Sequence, residues 1–149
     1  MCCEEVIRRE PSLGAFPTAP CAHLDLEADP RAPALARDFV REAVADDDDE
    51  LLDDLVLLTS ELVTNAVIHA RTPVEIGVIG DNERVLVAVG DRNLARPEQQ
   101  PYSIDRSSGR GLMIVRKLSD SWGVTTYERG KSVWFTVRRK PNQTGKGGA

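Results

Sequence analysis

No apolar run in this sequence approaches the roughly 18 residues needed to span a bilayer. The opening Met-Cys-Cys-Glu-Glu-Val-Ile-Arg-Arg-Glu lacks the apolar region of a signal peptide. The two absences together predict a cytoplasmic protein with no membrane contact. Positive charge is also short: 19 Lys and Arg against 24 Asp and Glu leave a net charge of −5, with a pI of about 5.1. That balance argues against direct, charge-driven binding to nucleic acid or an anionic membrane, while leaving room for a local basic patch. Cys2, Cys3 and Cys21 are an odd set and make no disulfide framework. The Cys2-Cys3 pair reads as a redox or metal point, or as two ordinary thiols on a frayed terminus. No second ligand pair or histidine cluster follows at metal spacing, which favours the second reading. What remains is a chain of 149 residues, one domain by size, able to bury a core without covalent or metal staples.

Residues 1–19 are Pro-containing and without periodicity, and read as a flexible leader. Ala22, Leu24 and Leu26 alternate with polar residues and predict a first strand. Leu35, Phe39, Val40 and Val44 recur at helical spacing over residues 31–45. The run Asp46-Asp47-Asp48-Asp49-Glu50 is an acidic contact surface, or a turn and N-cap favouring the positive end of the next helix. We favour the turn. A second helix over residues 50–70 is apolar on nearly every side and reads as largely buried. Strands are predicted over 74–79 and 85–89, joined by the hairpin-type linker Gly80-Asp81-Asn82-Glu83-Arg84.

The polar stretch 91–109 is long for a loop in a compact domain, which marks it as functional or disordered. A third helix follows over 111–119, then strands over 121–127 and 132–137, joined by Glu128-Arg129-Gly130-Lys131. The tail from Lys140 reads as disordered. The order β-α-α-β-β-α-β-β predicts an α+β fold. It would be a two-layer α/β sandwich, with a mixed, mostly antiparallel sheet and three helices on one face.

Glu61, Asn65 and His69 are spaced i, i+4, i+8, so they share one face of the second helix, within half a turn of Leu51, Leu55, Leu58 and Leu62. A carboxylate buried on that face needs a partner. Either the three build an internal hydrogen-bond network, or a carboxylate and an amide floor a pocket for a metal or polar substrate. Spacing alone does not choose. Asp91 directly follows an apolar strand, as an Asx turn ending it or as the mouth of a site. Gly109-Arg110-Gly111-Leu112 opens the third helix. Glycines there let backbone N–H groups approach an anion, and a plain loop-to-helix turn has the same composition. Arg110 is a phosphate donor or a solvated surface arginine.

Taken in order, these pieces resemble the GHKL (Bergerat-fold) ATP-binding family, which includes gyrase-type, chaperone, histidine-kinase and anti-sigma ATPases. Glu61-Leu62-Val63-Thr64-Asn65-Ala66-Val67-Ile68-His69-Ala70 looks like the family's asparagine box, in the E-x-x-x-N-A-x-x-H form typical of anti-sigma serine kinases. Asp91 falls at the aspartate of the first glycine box, and Gly109-Arg110-Gly111-Leu112 matches the second. Trp122-Gly123-Val124 and Gly130-Lys131-Ser132-Val133-Trp134-Phe135 resemble the closing strands of actinobacterial members. The resemblance covers residues 20–139, as one histidine-kinase-like ATP-binding domain between the leader and the 140–149 tail.

The resemblance implies ATP and Mg²⁺ as cofactors. Asn65 would hold Mg²⁺ and Glu61 would act as general base. Asp91 would accept a hydrogen bond from the adenine amino group. Gly109, Arg110, Gly111 and Leu112 would wrap the phosphates under a lid formed by residues 92–108. His69 would cap or pack the helix rather than catalyse.

Two positions depart from the family pattern. Asp91-Arg92-Asn93-Leu94-Ala95 has neither glycine of the first box; Asn93, which tolerates positive φ, stands in for the first, and the altered hinge bears on ATP affinity. Lys131 stands where the wider family often has a threonine that supports adenine recognition, so that contact is lost or Lys131 reaches elsewhere. The chain contains no phospho-accepting helical hairpin, which counts against a complete histidine kinase. The implied function is an ATP/Mg²⁺-dependent serine/threonine protein kinase of the anti-sigma type. It would phosphorylate a small anti-sigma-antagonist protein, sequester a sigma factor, or both. The alternative is a non-catalytic ATP-binding partner-switching module. Relatives of this type are commonly dimers, which admits a homodimer here.

Overall fold

The computed structural model describes residues 21–44, 49–69, 71–81, 83–92, 115, 117–127 and 130–139. The expected leader and tail, together with Cys2 and Cys3, lie outside the described residues. Strand β1 is Cys21–Leu26, helix α1 Ala32–Ala43, helix α2 Asp49–His69, β2 Val74–Gly80, β3 Arg84–Asp91, β4 Ser121–Tyr127 and β5 Gly130–Arg138. The five strands form one sheet in the order β1-β2-β3-β5-β4. All four pairings among the described strands are antiparallel, in keeping with the mostly antiparallel sheet of the α+β fold that the element order predicts.

One face of the sheet makes the core. Val74, Ile76 and Val78 of β2, Val85, Val87 and Val89 of β3, and Val133, Phe135 and Val137 of β5 alternate inward against α1 and α2. Along α1 the buried positions Ala32, Ala36 and Val40 recur every four residues. The small alanines let α1 lie close against α2. The Arg37 guanidinium donates to Ser60 Oγ at 3.0 Å and ties the two helices. α2 buries Leu51, Leu55, Leu58, Leu62 and Val63, but Leu57 is 42% and Ile68 52% exposed. The helix, expected to be largely buried, thus keeps part of its apolar surface in solvent. It is a cover on the sheet whose outer stripe stays in solvent. The third helix is described only at residues 115, 117 and 118; Val115 is buried in the same core.

Local chemistry explains the joints. Arg31 at the N-cap of α1 has no side-chain cap; Asp29 does the work from two residues upstream, accepting from the Arg31 N–H at 2.7 Å. That hydrogen bond, with the Arg31 guanidinium, holds the Asp29 carboxyl below its ordinary value of 3.8. A lowered folded-state pKa adds stability above the unfolded pKa, and that stability is lost as the pH falls through the lowered value. Asp29→Asn should therefore lower the urea midpoint slightly at neutral pH and match the parent in strong acid. An equal deficit at both pH values would remove the charge from the account.

In the β2–β3 hairpin, Asp81 Oδ1 accepts from the N–H groups of Glu83 at 2.8 Å and Arg84 at 3.0 Å. This is the turn the linker composition predicts. Asp49 and Glu50 occupy the first turn of α2, where carboxylates favour the helix dipole. Residues 45–48, most of the acidic run, lie outside the described residues.

Candidate functional site

α2 and the sheet place two buried polar residues at one end of the molecule. α2 ends at His69, and three described residues, Arg71 to Pro73, lead into β2. Arg71 makes the reversal with a φ of 57°, its N–H donating to the Ala66 carbonyl at 3.3 Å. The first residue of β2, Val74, is paired with Asp91, the last residue of β3. Asp91 is paired in turn with Lys131, the second residue of β5. The C-terminal end of α2 and the Asp91–Lys131 pair therefore share one end of the sheet. They also share a face. Asp91 has the parity of Val85, Val87 and Val89, and Lys131 that of Val133, Phe135 and Val137, all of which point towards the helices.

Asn65 lies one helical turn before the end of α2, about 6 Å of rise from His69. It is 4% exposed. Asp91 is 6% exposed. Glu61, one turn before Asn65, is only half-buried. The expectation of a buried carboxylate needing an internal partner is thus corrected, because water reaches it. Asp91 is corrected too. It is the last residue of β3, held between β2 and β5, and does not sit in an Asx turn beyond the strand. Strand propensity is overruled here by pairing on both sides. The side chain of His69 lies outside the described residues, as do Asn93, Gly109, Arg110, Gly111 and Leu112.

Sequence reasoning missed three features of this end. The Lys131 ammonium lies 3.2 Å from Asp91 Oδ2 and 3.4 Å from Oδ1, with the two side chains 17% and 8% exposed. Gly130 has a φ of 157°, and a Cβ there would stand 1.9 Å from the Asp91 carbonyl oxygen. β5 therefore approaches the end of β3 as closely as backbone allows. Beyond Asp91, the Arg92 N–H donates to Thr72 Oγ1 at 2.9 Å, and its guanidinium meets Glu75 at 3.3 Å. These contacts anchor the first residue beyond β3. By composition Gly130 and Lys131 read as part of a turn. Extending the alternation of β5 back by two residues is the signal that would have found them.

The donor set fits a magnesium nucleotide. A buried amide oxygen is a hard ligand suited to Mg²⁺. A buried carboxylate at a strand end accepts from an amino group. A water-exposed carboxylate one turn from the amide suits a general base. No three His, Cys, Asp or Glu side chains cluster at metal distance among the described residues. A Mg²⁺ ion at Asn65 would draw its other ligands from phosphate and water, as this ion commonly does.

Residues 26–137 match the family described as "Histidine kinase-like ATPase domain". No curated protein matches the chain. Among solved structures the chain is similar to the histidine kinase domain of a blue-light activated histidine kinase from Erythrobacter litoralis EL346. That similarity is at 24% identity and a TM-score of 0.45, over 58% of this chain and 43% of that chain. The chain thus spans under half the length of that relative.

Proposed function

We propose, from the premise that this chain belongs to the histidine kinase-like ATPase domain family of GHKL type, that it binds MgATP at the Asn65–Asp91 end of the sheet and acts as a serine/threonine kinase of the anti-sigma type. The observation that carries the reading is that Asn65, near the end of α2, and Asp91, at the end of β3, are both buried at the same end of the sheet, with half-buried Glu61 a turn ahead of Asn65. Bound ATP would supply the phosphoryl group, with ADP as the leaving group, and Mg²⁺ would offset the phosphate charge. Asn65 presents its amide oxygen to the metal. Asp91 accepts from the base amino group and fixes its orientation. Glu61, in contact with water, accepts the proton of an incoming hydroxyl. The E-x-x-x-N-A-x-x-H spacing supports the serine/threonine assignment, with a small antagonist protein as phosphate acceptor or a sigma factor as bound partner. The acidic net charge is consistent with acting through such a partner, in the cytoplasm, rather than on DNA.

A second reading rests on the Lys131–Asp91 ion pair and the missing glycines after Asp91: a module that binds ATP and switches partners without chemistry. MgATP titration with labelled-phosphate transfer to antagonist-domain proteins separates the two. For a kinase, Asn65→Ala weakens MgATP by at least about tenfold, roughly 1.4 kcal/mol. Glu61→Ala keeps affinity within about threefold and loses transfer by about 100-fold or more. Binding with no transfer to any acceptor favours the switching module. No MgATP binding by the parent protein overturns both.

A further inference from the structure

The Lys131–Asp91 pair changes what the base end of the proposed nucleotide site can read. A carboxylate alone is an acceptor. It welcomes the amino group on C6 of adenine and repels the carbonyl oxygen that guanine carries at the same ring position. Here the carboxylate does not stand alone. The Lys131 ammonium straddles both of its oxygens, at 3.2 and 3.4 Å. Both side chains face the helices from adjacent strands, in register. The pair is held in place from behind, because Gly130 lets the start of β5 close onto the Asp91 backbone. An ammonium has three donors, so the contact to the carboxylate leaves Lys131 with donor capacity for a ligand.

We infer that Lys131 is a specificity-determining residue that makes this site accept both adenine and guanine nucleotides. This rests on the reading of Asp91 as the base-recognising group. With adenine, Asp91 accepts from the C6 amino group and Lys131 can donate to a neighbouring ring nitrogen. With guanine, Lys131 donates to O6, a pairing lysine makes readily, while the Asp91 carboxylate lies on the side of the ring and exocyclic N–H groups. Threonine at this position would present only a hydroxyl and leave the carboxylate's preference for an amino group unopposed.

Calorimetric titration of the full chain with MgATP, MgGTP and MgITP tests this. ITP carries the C6 carbonyl without the 2-amino group, so it isolates the contact to O6. The parent protein should bind the three within about tenfold of one another. Lys131→Thr and Lys131→Met should each widen the preference for ATP over GTP and ITP by about tenfold or more, equivalent to roughly 1.4 kcal/mol. Lys131→Arg, which keeps the donor, should hold the parent's ratio. The methionine variant keeps the aliphatic stem, so its ratio stands even if the threonine variant folds poorly. A parent that prefers ATP about 100-fold, or ratios that Lys131→Thr and Lys131→Met leave unmoved while ATP still binds, overturns the inference alone. Failure of ATP to bind the parent overturns the site reading and the inference together.

Discussion

Asp91→Ala should destabilise the protein by about 3 kcal/mol, the lower end of the range for removing one partner of a buried ion pair. The cost comes from what is left behind. Lys131 is 17% exposed, so its ammonium would lose its counter-charge with little water in exchange. For a domain of this size the midpoint of thermal unfolding should fall by roughly 6–12 °C. The double variant Asp91→Ala/Lys131→Met should recover most of that loss, because neither charge is then buried alone. It should not recover nucleotide affinity, because the base acceptor is gone. Denaturant melts and MgATP titrations on the two single variants and the double variant separate stability from binding. If Asp91→Ala costs under about 1 kcal/mol, the pair behaves as a solvated surface bridge.

Gly130→Ala should cost about as much by a different route. At a φ of 157° a non-glycine residue is strained by roughly 1–3 kcal/mol. The added methyl would also stand 1.9 Å from the Asp91 carbonyl oxygen and 2.8 Å from the Arg92 Cα. Backbone cannot rotate away as a side chain can, so the start of β5 must shift, for a further roughly 1–3 kcal/mol. The shift takes Lys131 out of register with Asp91, so the charge pair weakens as well. Gly123→Ala is the control. Its methyl would meet the Trp134 ring at 2.7 Å, a side-chain contact where that of Gly130 is with backbone. Thermal melts should rank Gly130→Ala well below Gly123→Ala. Amide exchange should rise at Asp91 and Arg92 in the first variant and not in the second. Equal melts would show that β5 tolerates the displacement.

The strands were legible because a sheet with one buried face imposes a period of two on the chain. Val74, Ile76 and Val78, like Val85, Val87 and Val89, carry that period without interruption. The i, i+4 spacing of Glu61 and Asn65 was legible for the same kind of reason, since helical geometry is local. Their burial was not. Both were expected on one apolar face, yet Asn65 is nearly closed off and Glu61 is half open. A single turn of helix carries the chain from the middle of the packed interface to its margin, and only the position of the sheet sets where that margin falls. The reach of β5 was also underestimated. Gly130 and Lys131 look like turn residues by composition, but Lys131 pairs with both β3 and β4, and Gly130 with β4, which draws them into the strand.

The sequence by itself determined the element order, the helix-facing residues of each strand and the pattern placing an amide four residues after a carboxylate. Those are properties of short stretches, governed by backbone period and side-chain polarity. Tertiary structure decided which distant residues meet. Asp91 and Lys131 are 40 residues apart in the chain and 3.2 Å apart in space. They meet because β5 inserts between β3 and β4 and not at the edge of the sheet. Strand order depends on the sum of many pairings and on the helices above them, so no local stretch encodes it. The partner of the candidate base-recognising carboxylate was therefore visible only once the chain was folded.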